Sequence, residues 1–444
     1  MNSQTKNDWA RRVSERVRAR RTEAIELLSL LVRINSVNPT YPGKDFSEFL
    51  GGETRANETF AKYFNEAGLE VNWVDPDPHR KALVGVRKGL GGGQSLMFNG
   101  HIDTVPASEN GSWTYGDPWE PVIRDGWMYG LGACDMKGGL VAAWLAIRAI
   151  SEINVPLLGD LQLHSVPGEE SGDHEIGTTA CVNWGFRTDA AIVTEPTAPP
   201  RPLTIAVTAA PWAWLVITVQ GRSGEGASRG LSIRPGGLGD TASVNAVERS
   251  LRILTALQEL EKKWIVSKTH PYFPDGSFSI MPGVFQSSSS LGLGSIPDRA
   301  EIHWFCFYPP DQSERSVQSE IESFVLDACR LDPWLVANPP VMEWIMAFPS
   351  METPWEHPLP QAMASAWTSM TGDSLPTPNS LFPANFGGSL DGIWLQKAGI
   401  PTIAFGPGNI NFAHCVDEHV NLDEIIDAAV CLAICAINWC GVAE

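Results

Sequence analysis

Four short apolar runs, at 69–74, 95–99, 160–166 and 190–194, alternate with stretches of helical apolar spacing at 53–67, 139–151 and 175–185. Runs this short that end at turn residues read as strands. Strands separated by helices cannot pair through tight hairpins, so the chain must cross over each time, and the expected result is a largely parallel sheet. The expected fold class is therefore α/β, a mainly parallel sheet flanked by helices. In an open sheet of this kind ligands bind beyond the carboxyl ends of the strands.

The chemically distinctive residues fall at those ends. In GHIDTVP, residues 100–106, His101 and Asp103 stand two apart on an extended segment and project to the same side. Asp103 can then orient His101, as a carboxylate fixes the tautomer of a metal-bound imidazole. Alone, the pair reads more readily as a loop histidine beside a turn aspartate. In GLGACDMKGG, residues 130–139, small residues hold Asp135 in a tight turn before a helix. Its two oxygens could bind different cations and bridge them, and its plainer role is a helix cap.

In VPGEESG, residues 166–172, two adjacent glutamates follow a strand and repel each other unless compensated. A dication near Glu170 would compensate them and leave Glu169 as a general base, while an exposed acidic turn is the simpler account. Glu195 ends another apolar strand in VTEPT, and His414 lies beyond a Gly-Pro-Gly turn in AHCVDEHV, with His419 as its rival.

At 444 residues the chain is expected to form two domains. Its 43% hydrophobic and 19% charged residues are those of a globular protein. The net charge of -19 argues against nucleic acid and anionic membrane partners. The basic stretch from Arg11 to Arg21 is interleaved with Glu15 and reads as a solvated helix face. No apolar run reaches the roughly 18 residues of a membrane span, and no secretory signal is recognisable, so a cytoplasmic location is expected. The eight cysteines lack the paired spacing of zinc knuckles or disulfide scaffolds.

The texture changes near residue 210. Strand candidates at 212–220, 277–284 and 300–308 accompany helices at 242–263 and 312–329, giving an α+β unit over 210–335. The α/β pattern resumes with a strand at 341–346, a helix at 357–370 and a strand at 401–405. The expected division is a domain of 1–209 with 336–444, interrupted by 210–335.

In their order along nearly the whole chain, GHIDTVP, GACDMKGG, PGEESG, TEPT and the Gly-Pro-Gly to AHCVDE segment resemble the motifs of a two-metal metallopeptidase family. That family includes aminoacylases, acetylornithine deacetylase, succinyl-diaminopimelate desuccinylase and glutamate carboxypeptidase. The resemblance implies His101, Asp135, Glu170, Glu195 and His414 as metal ligands with Asp135 bridging, Asp103 supporting and Glu169 as catalytic base. It implies two divalent ions, zinc first and manganese or cobalt as alternatives, and an inserted lid domain that mediates a homodimer. The implied activity is hydrolysis of an amide or peptide C–N bond in a small molecule, acylamino acid or dipeptide.

Two departures bear on the substrate. Glu225, in GRSGEGAS, stands where relatives carry a histidine that stabilises the oxyanion, although Arg229, Arg234 and Asn245 keep family-like positions as substrate-binding candidates. Cys306 and Phe307 stand where many relatives carry an arginine for a substrate carboxylate. These departures leave two other functions open: hydrolytic deamination of an aromatic or other non-acyl amine, and a silent relative that serves as a binding or assembly subunit.

Overall fold

The computed structural model describes residues 3–108, 112–375, 377–379 and 383–443. Its chain divides into two compact units. One comprises the chain up to Ala209, Met351–Pro378 and the residues from 383 on; the other is Ala210–Ser350 together with Asn379. Ten strands build the two main sheets: β1 (Glu70–Val74), β2 (Ala82–Arg87), β3 (Leu96–His101), β4 (Leu161–Val166), β5 (Ala190–Val193), β6 (Trp212–Gln220), β7 (Ser279–Ser288), β8 (Arg299–Phe307), β9 (Val341–Phe348) and β10 (Thr402–Ala404).

The first unit carries the expected α/β sheet, in the order β1-β2-β4-β3-β5-β10. The pairs β4–β3, β3–β5 and β5–β10 are parallel. Antiparallel pairing of β2 with both β1 and β4 makes β2 the one reversed strand. Every residue of β3, β4 and β5 is buried, as in a sheet covered on both faces. The helix Gly138–Glu152 is apolar on nearly all sides and buried from Gly138 to Ile147, the signature of a central helix. It packs against the equally apolar helix Leu422–Cys440. Asn421 starts that second helix by accepting from the amides of Asp423 (2.8 Å) and Glu424 (3.3 Å). The basic stretch near the N-terminus lies on the helix Ser3–Ala19, where exposed Arg11 pairs with Asp8 and Glu15.

The second unit is an antiparallel sheet in the order β7-β8-β6-β9. Ala300, Ile302, Trp304 and Cys306 of β8 alternate inward, and the last three pack with Ile253, Leu257 and Trp264 of the helix Ala246–Ser267 and with Val317, Ile321 and Val325 of the helix Glu314–Cys329. The strand expected at 341–346 belongs here, correcting the expected boundary at 335. It is β9, paired with β6 from Val341↔Thr218 to Phe348↔Trp212, so the second unit extends to Ser350. An apolar run of this length reads the same in either sheet, and only its pairing assigns it. The long helix begins at Ala246, later than the expected 242, because the Asn245 side chain accepts from the amides of Val247 (3.0 Å) and Glu248 (3.3 Å).

No helix of the described residues is long and apolar enough to cross a membrane.

Candidate metal centre

The adjacent parallel strands β4, β3, β5 and β10 deliver their carboxyl ends to one edge of the first unit. His101 closes β3, the Glu169–Glu170 turn follows β4, Glu195 follows β5, and β10 runs into the Gly406-Pro407-Gly408 turn that precedes His414. Asp135 comes from the turn Ala133–Lys137 ahead of the central helix. The start of that helix approaches the residue after β5 so closely that a Cβ on Gly139 would stand 1.7 Å from the Thr194 carbonyl oxygen. A Cβ on Gly406 would likewise lie 2.5 Å from the Glu195 carbonyl oxygen. Glycine at these two positions lets three segments converge.

The expected ligand residues form two overlapping clusters, His101–Asp135–Glu195 and Asp135–Glu170–His414, with the donor atoms of each cluster within 4.8 Å of one another. His101 Nε2 lies 3.0 Å from Asp135 Oδ1 and 3.5 Å from Glu195 Oε1. His414 Nε2 lies 3.3 Å from Asp135 Oδ2 and 3.0 Å from Glu170 Oε2. Asp135 therefore divides its two oxygens between two imidazoles. The Glu169 carboxylate comes within 3.9 Å of His101 Nε2. His414 adopts φ +59°, a left-handed conformation that costs a non-glycine residue roughly 1–2 kcal/mol. Such strain is characteristic of functional positions.

Asp103 touches the cluster through both its backbone and its side chain. It is the Asp103 backbone carbonyl that lies 3.0 Å from His101 Nδ1, while the carboxylate stands off at 3.6 Å. The carboxylate instead accepts from the amides of Gly168 (3.0 Å) and Glu170 (3.1 Å). It thus anchors the turn of the paired glutamates, a long-range contact that spacing could not reveal.

The charges call for a cation. Burial pushes Glu169, Glu170 and Glu195 up, and carboxylate neighbours push each of them further. Burial works against charge on His101, yet Glu195, Asp135, Glu169 and Asp103 together raise its pKa. The isolated cluster bears its charge only by holding protons, and divalent ions bind where such protons leave. Glu195 Oε2 is buried with no hydrogen-bond partner, which leaves a lone pair for a ligand. Oxygen and imidazole donors without thiolate fit a divalent ion kept reactive better than a closed structural zinc site.

Several supporting residues are not site candidates on sequence grounds, although Lys137 and Glu418 stand within the GACDMKGG and AHCVDE segments. Glu418, buried, accepts from the amides of Cys134 (2.9 Å) and Asp135 (3.1 Å). Lys137 is buried completely and donates to the carbonyls of Leu31 (3.0 Å) and Ile34 (3.2 Å), where the helix Arg21–Val32 ends. Asp391 is buried, with Oδ2 unpartnered. His419, the rival histidine, packs against Phe412, Tyr129 and Trp127, with ring centroids 4.3, 5.0 and 5.2 Å away.

The substrate-binding candidates belong to the second unit. Glu225 is exposed on a two-residue strand paired with Ser295–Ile296. Arg229 pairs with Glu248, Arg234 is exposed, and Asn245 is occupied as the helix cap described above. Cys306 is buried in the core of that unit.

Paired histidine–carboxylate clusters at the carboxyl edge of a parallel sheet define a metal-dependent hydrolase. The chain belongs to Peptidase family M20/M25/M40, whose model matches residues 97–438. It is 30% identical over 394 residues to the N-formyl-4-amino-5-aminomethyl-2-methylpyrimidine deformylase of Bacillus subtilis, covering 86% of this chain and 88% of that one. It is 27% identical to the acetylornithine deacetylase of Vibrio parahaemolyticus, covering 94% of this chain and 98% of the relative. Its fold resembles a dinuclear metal binding peptidase of Bacillus subtilis, with a TM-score of 0.60, 14% identity and coverage of 95% and 98%. The chain is accordingly a hydrolase of C–N bonds.

Proposed function

We propose that the chain removes the acyl group from a small N-acylated amine, with two divalent ions held by His101, Asp135, Glu170, Glu195 and His414. The observation that carries this reading is the division of Asp135 between His101 and His414. The pairing supports His101 and Glu195 on one ion, Glu170 and His414 on the other, and Asp135 on both. When bound, such ions supply Lewis acidity, which acidifies water and stabilises charge on the attacked carbonyl oxygen. Glu169 is the base that takes the proton from the attacking water and delivers it to the leaving nitrogen. Burial raises its pKa, which suits both halves of that transfer. Asp103 keeps Glu169 in place through the turn amides. Zinc is the proposed metal, and manganese or cobalt suit the same donors.

The substrate we favour is an aromatic amine carrying a formyl or similar acyl group and lacking a free carboxylate. The likeness to a pyrimidine deformylase supports it. So does Cys306, a buried thiol which, with Phe307, stands where many relatives carry an arginine for a substrate carboxylate. Glu225 is the proposed contact for an amino group of the substrate, with Arg234 as a further polar contact; Arg229 and Asn245 hold the loop and helix between them. The outer strand β7, which exposes Met281, Val284 and Phe285, supports a homodimer formed through the second unit. Eight cysteines without a disulfide support a cytoplasmic location.

The test is hydrolysis by chelator-treated and zinc-restored protein, comparing an N-formyl aminomethylpyrimidine, acylamino acids, dipeptides and free aromatic amines. Formate release that chelation abolishes and zinc restores is expected, and Glu169→Gln should lower kcat by about 10²–10⁴-fold without changing zinc content. Ammonia from the free amines would favour deamination. Zinc-loaded protein inactive on every substrate would favour a binding subunit.

A further inference from the structure

The turn bearing Glu169 and Glu170 is fastened through Asp103 to a buried polar chain outside the metal clusters. Asn38 Nδ2 donates to Asp103 Oδ2 at 2.8 Å and to Ser171 Oγ, in the same turn, at 3.0 Å. Asn38 Oδ1 accepts from Arg80 Nη2 at 3.1 Å. Arg80, 2% exposed, pairs with both oxygens of Glu53 at 2.7 and 2.8 Å. Its remaining arm, Nη1, reaches Asp173 Oδ2 at 2.7 Å, just past that turn.

The polarity of this chain is fixed from both ends. A guanidinium only donates and a carboxylate only accepts, so Asn38 must turn its oxygen to Arg80 and its nitrogen to Asp103. Asp103 in turn presents two oxygens to the amides of Gly168 and Glu170. Adjacent Glu169 and Glu170 repel each other, and fixing the backbone beneath them at Gly168, Glu170, Ser171 and Asp173 resists that repulsion. A buried ion pair such as Arg80–Glu53 adds little to stability compared with an apolar replacement. Its contacts with both Asn38 and Asp173 give it another use.

We propose that Asn38 and Arg80 are positioning residues that hold Glu170 at the metal edge and Glu169 beside it, acting through Asp103 and Asp173. The proposal rests on the reading of Glu169 and Glu170 given above. Neither residue touches substrate or ions. Together they set where the turn stands, and so how well Glu170 completes its cluster with His414.

The test uses two variants of the full chain, Asn38→Leu and the paired Arg80→Met with Glu53→Leu, which leaves no lone charge buried. Each is stripped of metal and titrated with zinc by calorimetry, with its melting temperature measured alongside. One zinc equivalent should weaken by about 10- to 100-fold while the other keeps its affinity. Arg80→Lys, which keeps the charge and one donor nitrogen, should weaken the same equivalent less. Both equivalents unchanged in well-folded variants would overturn the proposal, as would both weakening in step with a falling melting temperature. A parent protein that binds no zinc would instead overturn the metal reading beneath it.

Discussion

Glu418 Oε1 accepts the backbone amide of Asp135 at 3.1 Å. The same oxygen takes the amide of Cys134 at 2.9 Å, so the segment carrying His414 is tied to the turn carrying the shared carboxylate. The separation of Asp135 from His414 thus depends on a side chain that belongs to neither cluster.

Removing that tie should loosen metal binding without emptying the site. Glu418→Ala is expected to lower zinc affinity by about 10- to 100-fold. Glu418→Gln, whose amide oxygen can still accept both N–H groups, should lose much less. Equal affinities for the Ala variant and the parent in a zinc titration would show that the contact does not support the cluster.

The approach of the helix that follows the Asp135 turn to the residue after β5 should be equally sensitive. Gly139→Ala places a methyl group 1.7 Å from the Thr194 carbonyl oxygen, and relieving such a clash costs about 1–3 kcal/mol. The expected signs are a lower melting temperature and weaker zinc uptake, since the shift separates Asp135 from Glu195. A variant that matches the parent in both would mean that the turn can retreat without consequence.

Metal should also stabilise the fold. The clustered carboxylates repel one another when unliganded, and ions that bind only the folded state stabilise it by about 2.7 kcal/mol at a hundredfold excess over Kd. Differential scanning calorimetry should show melting rise steadily with zinc and return to the starting value on chelation. Melting indifferent to zinc would contradict a structured ion site.

His164 predicts acid sensitivity in the core of the first sheet. It is buried on β4 with Nε2 2.9 Å from Gln162 Oε1, and burial pushes its imidazole down to about 3. An unfolded histidine titrates near ~6.5. Below that pH the unfolded chain holds the extra proton, so the stability is fully present above about 6.5 and is lost progressively as pH falls toward the folded value, by up to about 1.4 kcal/mol per pH unit. His164→Met should therefore show a smaller loss of urea midpoint between pH 7 and pH 5 than the parent. An identical loss would assign acid sensitivity to other groups.

Local sequence chemistry made much of this protein legible. Apolar runs that end in His101, Glu170 or Glu195 declare themselves as strand ends, because strand formation and turn residues are short-range. Asp135 in its turn of small residues could be recognised as a potential bridge from its own oxygens alone. The same locality explains the failure at β9: nothing in Val341–Phe348 says which sheet it joins, and pairing with β6 decided it.

What the sequence alone determined is the kind of site, carboxylates and imidazoles at the carboxyl ends of buried strands, because those residue types and strand ends are set by near neighbours in the chain. Tertiary structure decided which of them meet. The order β4-β3-β5-β10 sets Glu195 against His101, and the Glu170 turn meets His414, 244 residues further along. It also turned the Asp103 carboxylate toward the Glu170 amide and enlisted Asn38, Arg80 and Glu418 as supports. A hydrogen bond to a distant backbone amide depends on where the sheet brings that amide, and no spacing along the chain records it.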